Sequence, residues 1–275
     1  MNVTAGIDVG STYTKAVLTT EDGQIIAKAM RQTGFLLSKV SQQVFEDCLS
    51  QVGLKQSDCK YVISTGVGRH RVDFKDLAVT DLTAGARGTK YFFPSTRTVL
   101  DVGGQTMKAS RIDELAKVTS FRLNDKCAAG TGAFLEKTAR YMGYSTEEIN
   151  AVMVTSRQSV PISGVCAVFA ESEVINHLSM GTSPGDIMQG AIESLTTRSI
   201  QLMKRIKAEP EHTLIGGILR FNPMISAVVD QLGCEVNVPS GDLCQYTGAV
   251  GASVLGHVRL DRIKSNKASL VRPEL

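Results

Sequence analysis

Two short stretches carry the same potential chemistry. Asp8-Val9-Gly10 is followed by Lys15-Ala16, and Asp101-Val102-Gly103 by Lys108-Ala109, 93 residues further on. A carboxylate, a glycine and a lysine keep their spacing in both. Each copy starts as an apolar strand (Ala5 to Val9; Val99 to Val102), turns at the glycine and returns as a second strand (Thr14 to Thr19; Thr106 to Ile112). A polar turn and a third strand follow (Gln24 to Met30; Lys117 to Leu123). Two unrelated hairpins sharing D-x-G are the competing reading. The pattern favours a duplicated β-meander, one per lobe, with the two lobes facing across a cleft.

Glycine turns let backbone N–H groups reach phosphate oxygens. Gly10-Ser11-Thr12 and Gly103-Gly104-Gln105 are two such turns, expected to hold a phosphate chain from both sides. Asp8 and Asp101 would repel phosphate unless Mg²⁺ and ordered waters intervene. Lys15 is a candidate for neutralising phosphate charge, with a solvated strand lysine as the alternative; for Lys108 the solvated reading is preferred. Gly216-Gly217, after an apolar strand, suits a flat adenosine lying on bare backbone. Neither a Walker A loop nor a dinucleotide fingerprint is present.

The elements that must position these residues alternate. An amphipathic helix is expected over Val40 to Val52, with Val40, Val44, Phe45, Cys48, Leu49 and Val52 on one side. Tyr61 to Ser64 reads as a strand running into Thr65-Gly66-Val67-Gly68. Helices are expected over Phe134 to Met142, Ala167 to Met180, Pro184 to Ile206, Asn222 to Leu232 and Gly248 to His257. Thr213 to Ile215 and Val236 to Val238 read as strands, and Leu260 to Leu275 as a weakly packed tail. The class is α/β. The expected division is 1–94 for the first lobe, 95–246 for the second, 247–259 for a helix returning to the first, and 260–275 for the tail.

Composition narrows the function classes. The 275 residues include 30 Lys and Arg against 27 Asp and Glu, interspersed, so no basic face suggests nucleic acid or anionic lipid. The chain lacks an apolar run long enough to span a membrane and a secretory leader, so a cytoplasmic protein is expected. Six cysteines form no C-x-x-C pair. Cys127 and Cys166 each precede a predicted helix, where the helix N-terminus favours thiolate. On spacing alone, two buried structural cysteines remain the competing reading; Cys48 and Cys234 read as structural. Glu171 reads as a capping carboxylate and Glu173 as a surface residue. No histidine takes a metal-ligand spacing.

The segments GIDVGSTYTK, TGVGR, LDVGGQ, NDKCAAGTGAFLE, GVCAVFAESEVI, LIGGIL and YTGAVGAS resemble ATPase activators of the BcrA/BadF/BzdG type, over about residues 5 to 256. These serve 2-hydroxyacyl-CoA dehydratases and benzoyl-CoA reductases. The resemblance implies the actin-like ATPase fold shared with acetate and sugar kinases and Hsp70. It also implies a pseudo-twofold dimer holding one [4Fe–4S] cluster through Cys127 and Cys166 of each subunit, since a cubane needs four thiolates. Other implied partners are MgATP, a ferredoxin or flavodoxin donor and a reductase or dehydratase module. The spellings GSTYTK and GGQT look most like a small ATPase subunit of a bzd-type benzoyl-CoA reductase of anaerobic aromatic degradation. Thr80 to Ala84 and Thr106 depart from the dehydratase activators, where Cys-His and Asp are usual. Gln105, Asp8 and Asp101 are the expected catalytic residues. The expected nucleotide contacts are Gly10, Ser11, Thr12, Thr14, Lys15, Gly103, Gly104, Gln105, Gly130, Thr131, Gly132, Gly216, Gly217 and Gln245. The expected activity is an ATP-dependent delivery of single low-potential electrons. A small-substrate kinase of the same fold, or a nucleotide-switched scaffold, are readings of other classes.

Overall fold

The computed structural model describes residues 2–124, 131–163 and 167–270. The chain divides into two compact units, Met1–Pro94 with Tyr246–Leu275, and Ser95–Gln245.

In the first unit β1 (Val3–Val9), β2 (Tyr13–Thr20), β3 (Ile25–Gln32), β4 (Cys59–Thr65) and β5 (Leu77–Ala78) form one mixed sheet in the order β3-β2-β1-β4-β5. β1 pairs antiparallel with β2 and parallel with β4. β1 is central and buried almost throughout, although its sequence alternates Val3, Ala5, Ile7 and Val9 with Thr4, Gly6 and Asp8. α1 (Leu37–Gln51) places Val44, Phe45, Cys48 and Leu49 on one core with Ala5, Ile7 and Leu18. A second core gathers Val17, Tyr246, Ala249 and Val250, and a third Ile63, Ala84 and Ala252. These bring in α2 (Asp81–Phe92) and α8 (Leu243–Leu270). α2 and α8 meet through small residues: a Cβ on Gly88 would overlap Thr247 O, and one on Gly251 would overlap Ala84 O.

In the second unit β6 (Thr98–Val102), β7 (Met107–Ile112), β8 (Val118–Asn124) and β9 (His212–Ile215) run in the order β8-β7-β6-β9. This repeats the pattern β3-β2-β1-β4. The helices α3 (Gly132–Tyr141), α4 (Ile149–Met153), α5 (Ala167–Ser179), α6 (Pro184–Arg205) and α7 (Asn222–Leu232) share one large core with this sheet, centred on Ile187, Met188, Ile192 and Leu195 of α6. α6 starts as its sequence dictates: Ser183 accepts from Asp186 N at 3.2 Å, and Pro184 occupies the first turn.

Four sequence expectations change. α2 and α4 replace stretches with no assigned element. Val236 to Val238 is not a strand but a single parallel bridge of Asn237 to Thr213. The helix expected over Gly248 to His257 is longer, with α8 continuing to Leu270, and its residues 261–265 are exposed.

Asp186 ties the segment before α5 to α6. Its Oδ1 accepts from Gln158 N at 2.9 Å and Arg157 N at 2.7 Å. Those two bonds, Gln158 first, hold the carboxyl at about 2 rather than the usual 3.8. The stabilisation is therefore complete above pH 3.8 and is lost as pH falls towards 2. Urea midpoints measured between pH 5 and pH 2 should fall in wild type, with cleavage near Arg157 rising. Asp186→Asn should start lower and show less of that pH dependence.

Candidate functional site

The strand ends place each carboxylate opposite its lysine. Asp8 is the register partner of Lys15, and Asp101 of Lys108. Cross-strand partners share a face, so the side chains meet. In both units Lys Nζ donates to Asp Oδ2 at 3.2 Å. The lysine side chains are only 14% and 12% exposed. Lys108 is thus not a solvated strand lysine, and Lys15 is engaged by Asp8 before any phosphate arrives.

The glycine turns are tight hairpin ends. Gly10 N donates to Tyr13 O at 3.2 Å, and Gly103 N to Thr106 O at 2.8 Å. Ser11 and Thr12, like Gly104 and Gln105, lie at the tips. The first turn is braced by Thr33, which sequence reasoning missed. Thr33 Oγ1 donates to Gly10 O at 2.8 Å, its N–H to Thr12 O at 2.9 Å, and its hydroxyl meets Thr14 Oγ1 at 3.0 Å. Thr14 is fully buried there and braces the turn. The second turn is braced by the start of α3: Gly132 N donates to Gly103 O at 2.9 Å and Ala133 N to Gly104 O at 2.7 Å. Gly132 therefore holds the turn with its N–H, Thr131 beside it is fully buried, and Gly130 lies outside the described residues.

Gly216 and Gly217 have different tasks. Gly216 sits at φ +102°, and a Cβ there would come within 2.7 Å of Asp101 Oδ1. It is a stop against the carboxylate. At Gly217 the only atom among the described residues that such a Cβ would meet is Gln245 Oε1, at 3.8 Å, so its backbone is the barer one. Gln245 is buried beside it, and Gly216 N donates to Cys244 O at 2.8 Å. The adenosine expectation therefore rests on Gly217 and Gln245.

Cys127 and Cys166 lie outside the described residues, in the segments preceding α3 and α5. Burial pushes the Cys48 thiol up to about 12, and those of Cys59 and Cys244 to about 11. These three stay protonated at neutral pH. No group of three or more His, Cys, Asp or Glu among the described residues could hold a metal ion. Among the described residues Glu171 accepts from Lys137 Nζ at 2.8 Å and Tyr141 Oη at 3.1 Å, joining α3 to α5. Glu173 accepts from Ser163 N, tying down the residue that enters the Cys166 segment. No helix among the described residues is long and apolar enough to cross a membrane.

The model of the BadF/BadG/BcrA/BcrD ATPase family matches residues 5–256. The chain belongs to that family. It is 36% identical to a 2-hydroxyisocaproyl-CoA dehydratase activator of Clostridioides difficile, over 91% of this chain and 93% of the relative. Identity to a benzoyl-CoA reductase component of Thauera aromatica is 32%, covering 96% of each. A solved structure of the activator of the 2-hydroxyisocaproyl-CoA dehydratase from Clostridium difficile, with bound ADPNP, superposes with a TM-score of 0.89 at 33% identity, covering 99% of this chain and all of that one. A ROK family glucokinase from Streptomyces griseus, at 14% identity and TM-score 0.56 over 94% of this chain and all of its own, shares the fold alone. The fold is that of the actin-like ATPases.

The two glycines give opposed expectations. Gly216→Ala should cost about 1–3 kcal/mol in urea unfolding through its positive φ and displace Asp101. Gly217→Ala should fold normally and weaken adenosine binding, measured by titration calorimetry.

Proposed function

We propose that this chain is the ATP-hydrolysing activator of an acyl-CoA partner enzyme, with a 2-hydroxyacyl-CoA dehydratase as the first candidate. The observation that carries the reading is the repeated carboxylate–lysine pair beside a braced glycine turn, in a chain of this ATPase family. Asp8 and Asp101, each with Oδ2 accepting from its lysine, are the carboxylates that would hold a Mg²⁺ ion with its waters. When bound, Mg²⁺ neutralises phosphate charge. In phosphoryl transfer the protein mostly positions groups and stabilises charge. Gln105, at the tip of the second turn, orients the attacking water. Ser11, Thr12 and the Gly104 backbone present donors to phosphate oxygens, and Gly217 and Gln245 take the adenosine.

Cys127 and Cys166, with the same pair from a second subunit, are the proposed ligands of a [4Fe–4S] cluster. Their segments lead into α3 and α5, the former the helix that braces the second phosphate turn. When bound, the cluster supplies one-electron transfer, refilled by a ferredoxin or flavodoxin. The chain's own part is to tie the turn, α3 and α5 together through Gly132, Ala133 and Glu171.

The choice of partner moves from the benzoyl-CoA reductase expected on the sequence to the dehydratase, because a dehydratase activator is 36% identical and the reductase component 32%. The reductase reading keeps the support of Thr106 and of Thr80 to Ala84. Adding this chain with MgATP and a low-potential reductant to each purified partner decides between them. A kinase reading rests only on fold-level likeness.

Gln105→Ala should slow phosphate release by about a hundredfold while ATP affinity stays near wild type; a fall in affinity with no separate rate effect would make Gln105 a binding residue only. Cys166→Ala protein purified without oxygen should lose its iron, and Cys48→Ala should keep it. Full iron in Cys166→Ala would refute the ligand assignment.

A further inference from the structure

The Thr65-Gly66-Val67-Gly68-Arg69 stretch has no role in the site as described, yet it is the backbone twin of Gly216 to Leu219. Gly66 follows β4 as Gly216 follows β9, and each of these strands lies parallel to the one bearing the aspartate. Gly66 has φ +84°, and a Cβ on it would come within 2.5 Å of Asp8 Oδ1, as one on Gly216 would meet Asp101 Oδ1. Both turns close the same way: Arg69 N donates to Gly66 O at 3.4 Å, and Leu219 N to Gly216 O at 3.1 Å. Their sequences share only the Gly66–Gly216 position, and the residue whose N–H closes the turn differs in kind. The second unit has a buried leucine, and the first a half-buried arginine.

Arg69 stands where a cation is needed. Lys15 and Lys108 are each taken by an aspartate, so the carboxylates and lysines at the strand ends cancel. A nucleoside triphosphate keeps net negative charge even with Mg²⁺. Arg69 Nη1 donates to Gly66 O at 3.1 Å, which fixes one edge of the guanidinium against the turn touching Asp8. Gly68 N in the same turn donates to Val9 O at 3.0 Å, next to Gly10 of the phosphate turn. Arg69 forms no ion pair among the described residues. A guanidinium offers five donors in a fork matched to phosphate, and here one is used on the backbone. We infer that Arg69 is a phosphate-binding residue of the nucleotide site, with the Gly66 turn serving as its mount and as the stop for Asp8. The inference rests on the nucleotide reading proposed above.

Titration calorimetry of wild type, Arg69→Gln and Arg69→Lys with MgATP, MgADP and adenosine tests it. A charge-assisted bond to phosphate is worth about 1.5–3 kcal/mol, about tenfold or more in affinity. Arg69→Gln should lose at least about tenfold for MgATP, with less loss for MgADP and none for adenosine, at an unchanged melting temperature. Arg69→Lys keeps charge and a donor and should fall between, which keeps the inference testable if Arg69→Gln folds poorly. Unchanged MgATP affinity would overturn it. So would equal losses for all three ligands with a lower melting temperature, which would make Arg69 a brace for Gly66 only. Failure of wild type to bind MgATP would instead overturn the nucleotide reading itself.

Discussion

The strand-end carboxylate, clamped between a lysine and a glycine, is the constraint on which the rest depends. A carboxylate at the carboxyl end of a central strand lies where open α/β sheets bind ligands. Left alone it would swing, or repel phosphate. Here one oxygen is held by a cross-strand lysine, and the other abuts a glycine whose positive φ leaves no room for a side chain. The parallel strand must end at one position for that glycine to arrive. The antiparallel neighbour must keep its register for the lysine to reach. Both requirements explain why the sheet order of the first four strands is repeated across the two units.

The bracing around the turns follows from the same need. A hairpin tip that presents N–H groups to an anion must be supported by its carbonyls. In the first unit those carbonyls accept from Thr33, and in the second from the first N–H groups of α3. The difference connects the two proposed chemistries. The second turn is supported by a helix whose preceding segment carries Cys127, and that helix is bound to α5 through Lys137, Tyr141 and Glu171. A change in the second turn therefore bears on α3 first and on α5 next, so the proposed ATP chemistry and the proposed cluster share one mechanical path.

Much of this was legible in the sequence because it is local. The Asp, Gly and Lys spacing survives as the same register pair in both units, since a hairpin preserves sequence distance. The second half of the repeat was not legible. Gly66 lies 58 residues beyond Asp8, while Gly216 lies 115 beyond Asp101, because α3 to α6 are inserted before β9 and no constant offset links the two glycines. No element was assigned over α2, where Gly85 and Gly88 lower the helix propensity. Gly88 instead lets α8 approach closely, a tertiary cause invisible in local propensity. The burial of Lys108 was misjudged because a lysine beside a turn looks solvated until its cross-strand carboxylate is placed.

The central proposal is that each clamped carboxylate, Asp8 in the first unit and Asp101 in the second, takes part in holding Mg²⁺. The most direct measurement is ATP affinity with and without Mg²⁺ in wild type, Asp8→Asn and Asp101→Asn, with folding checked by circular dichroism. Wild type should bind ATP much more tightly when Mg²⁺ is present, and each amide variant should lose most of that Mg²⁺-dependent gain while keeping its fold. Variants that retain the full gain would contradict the account, because the strand-end carboxylates would then have no part in holding the metal.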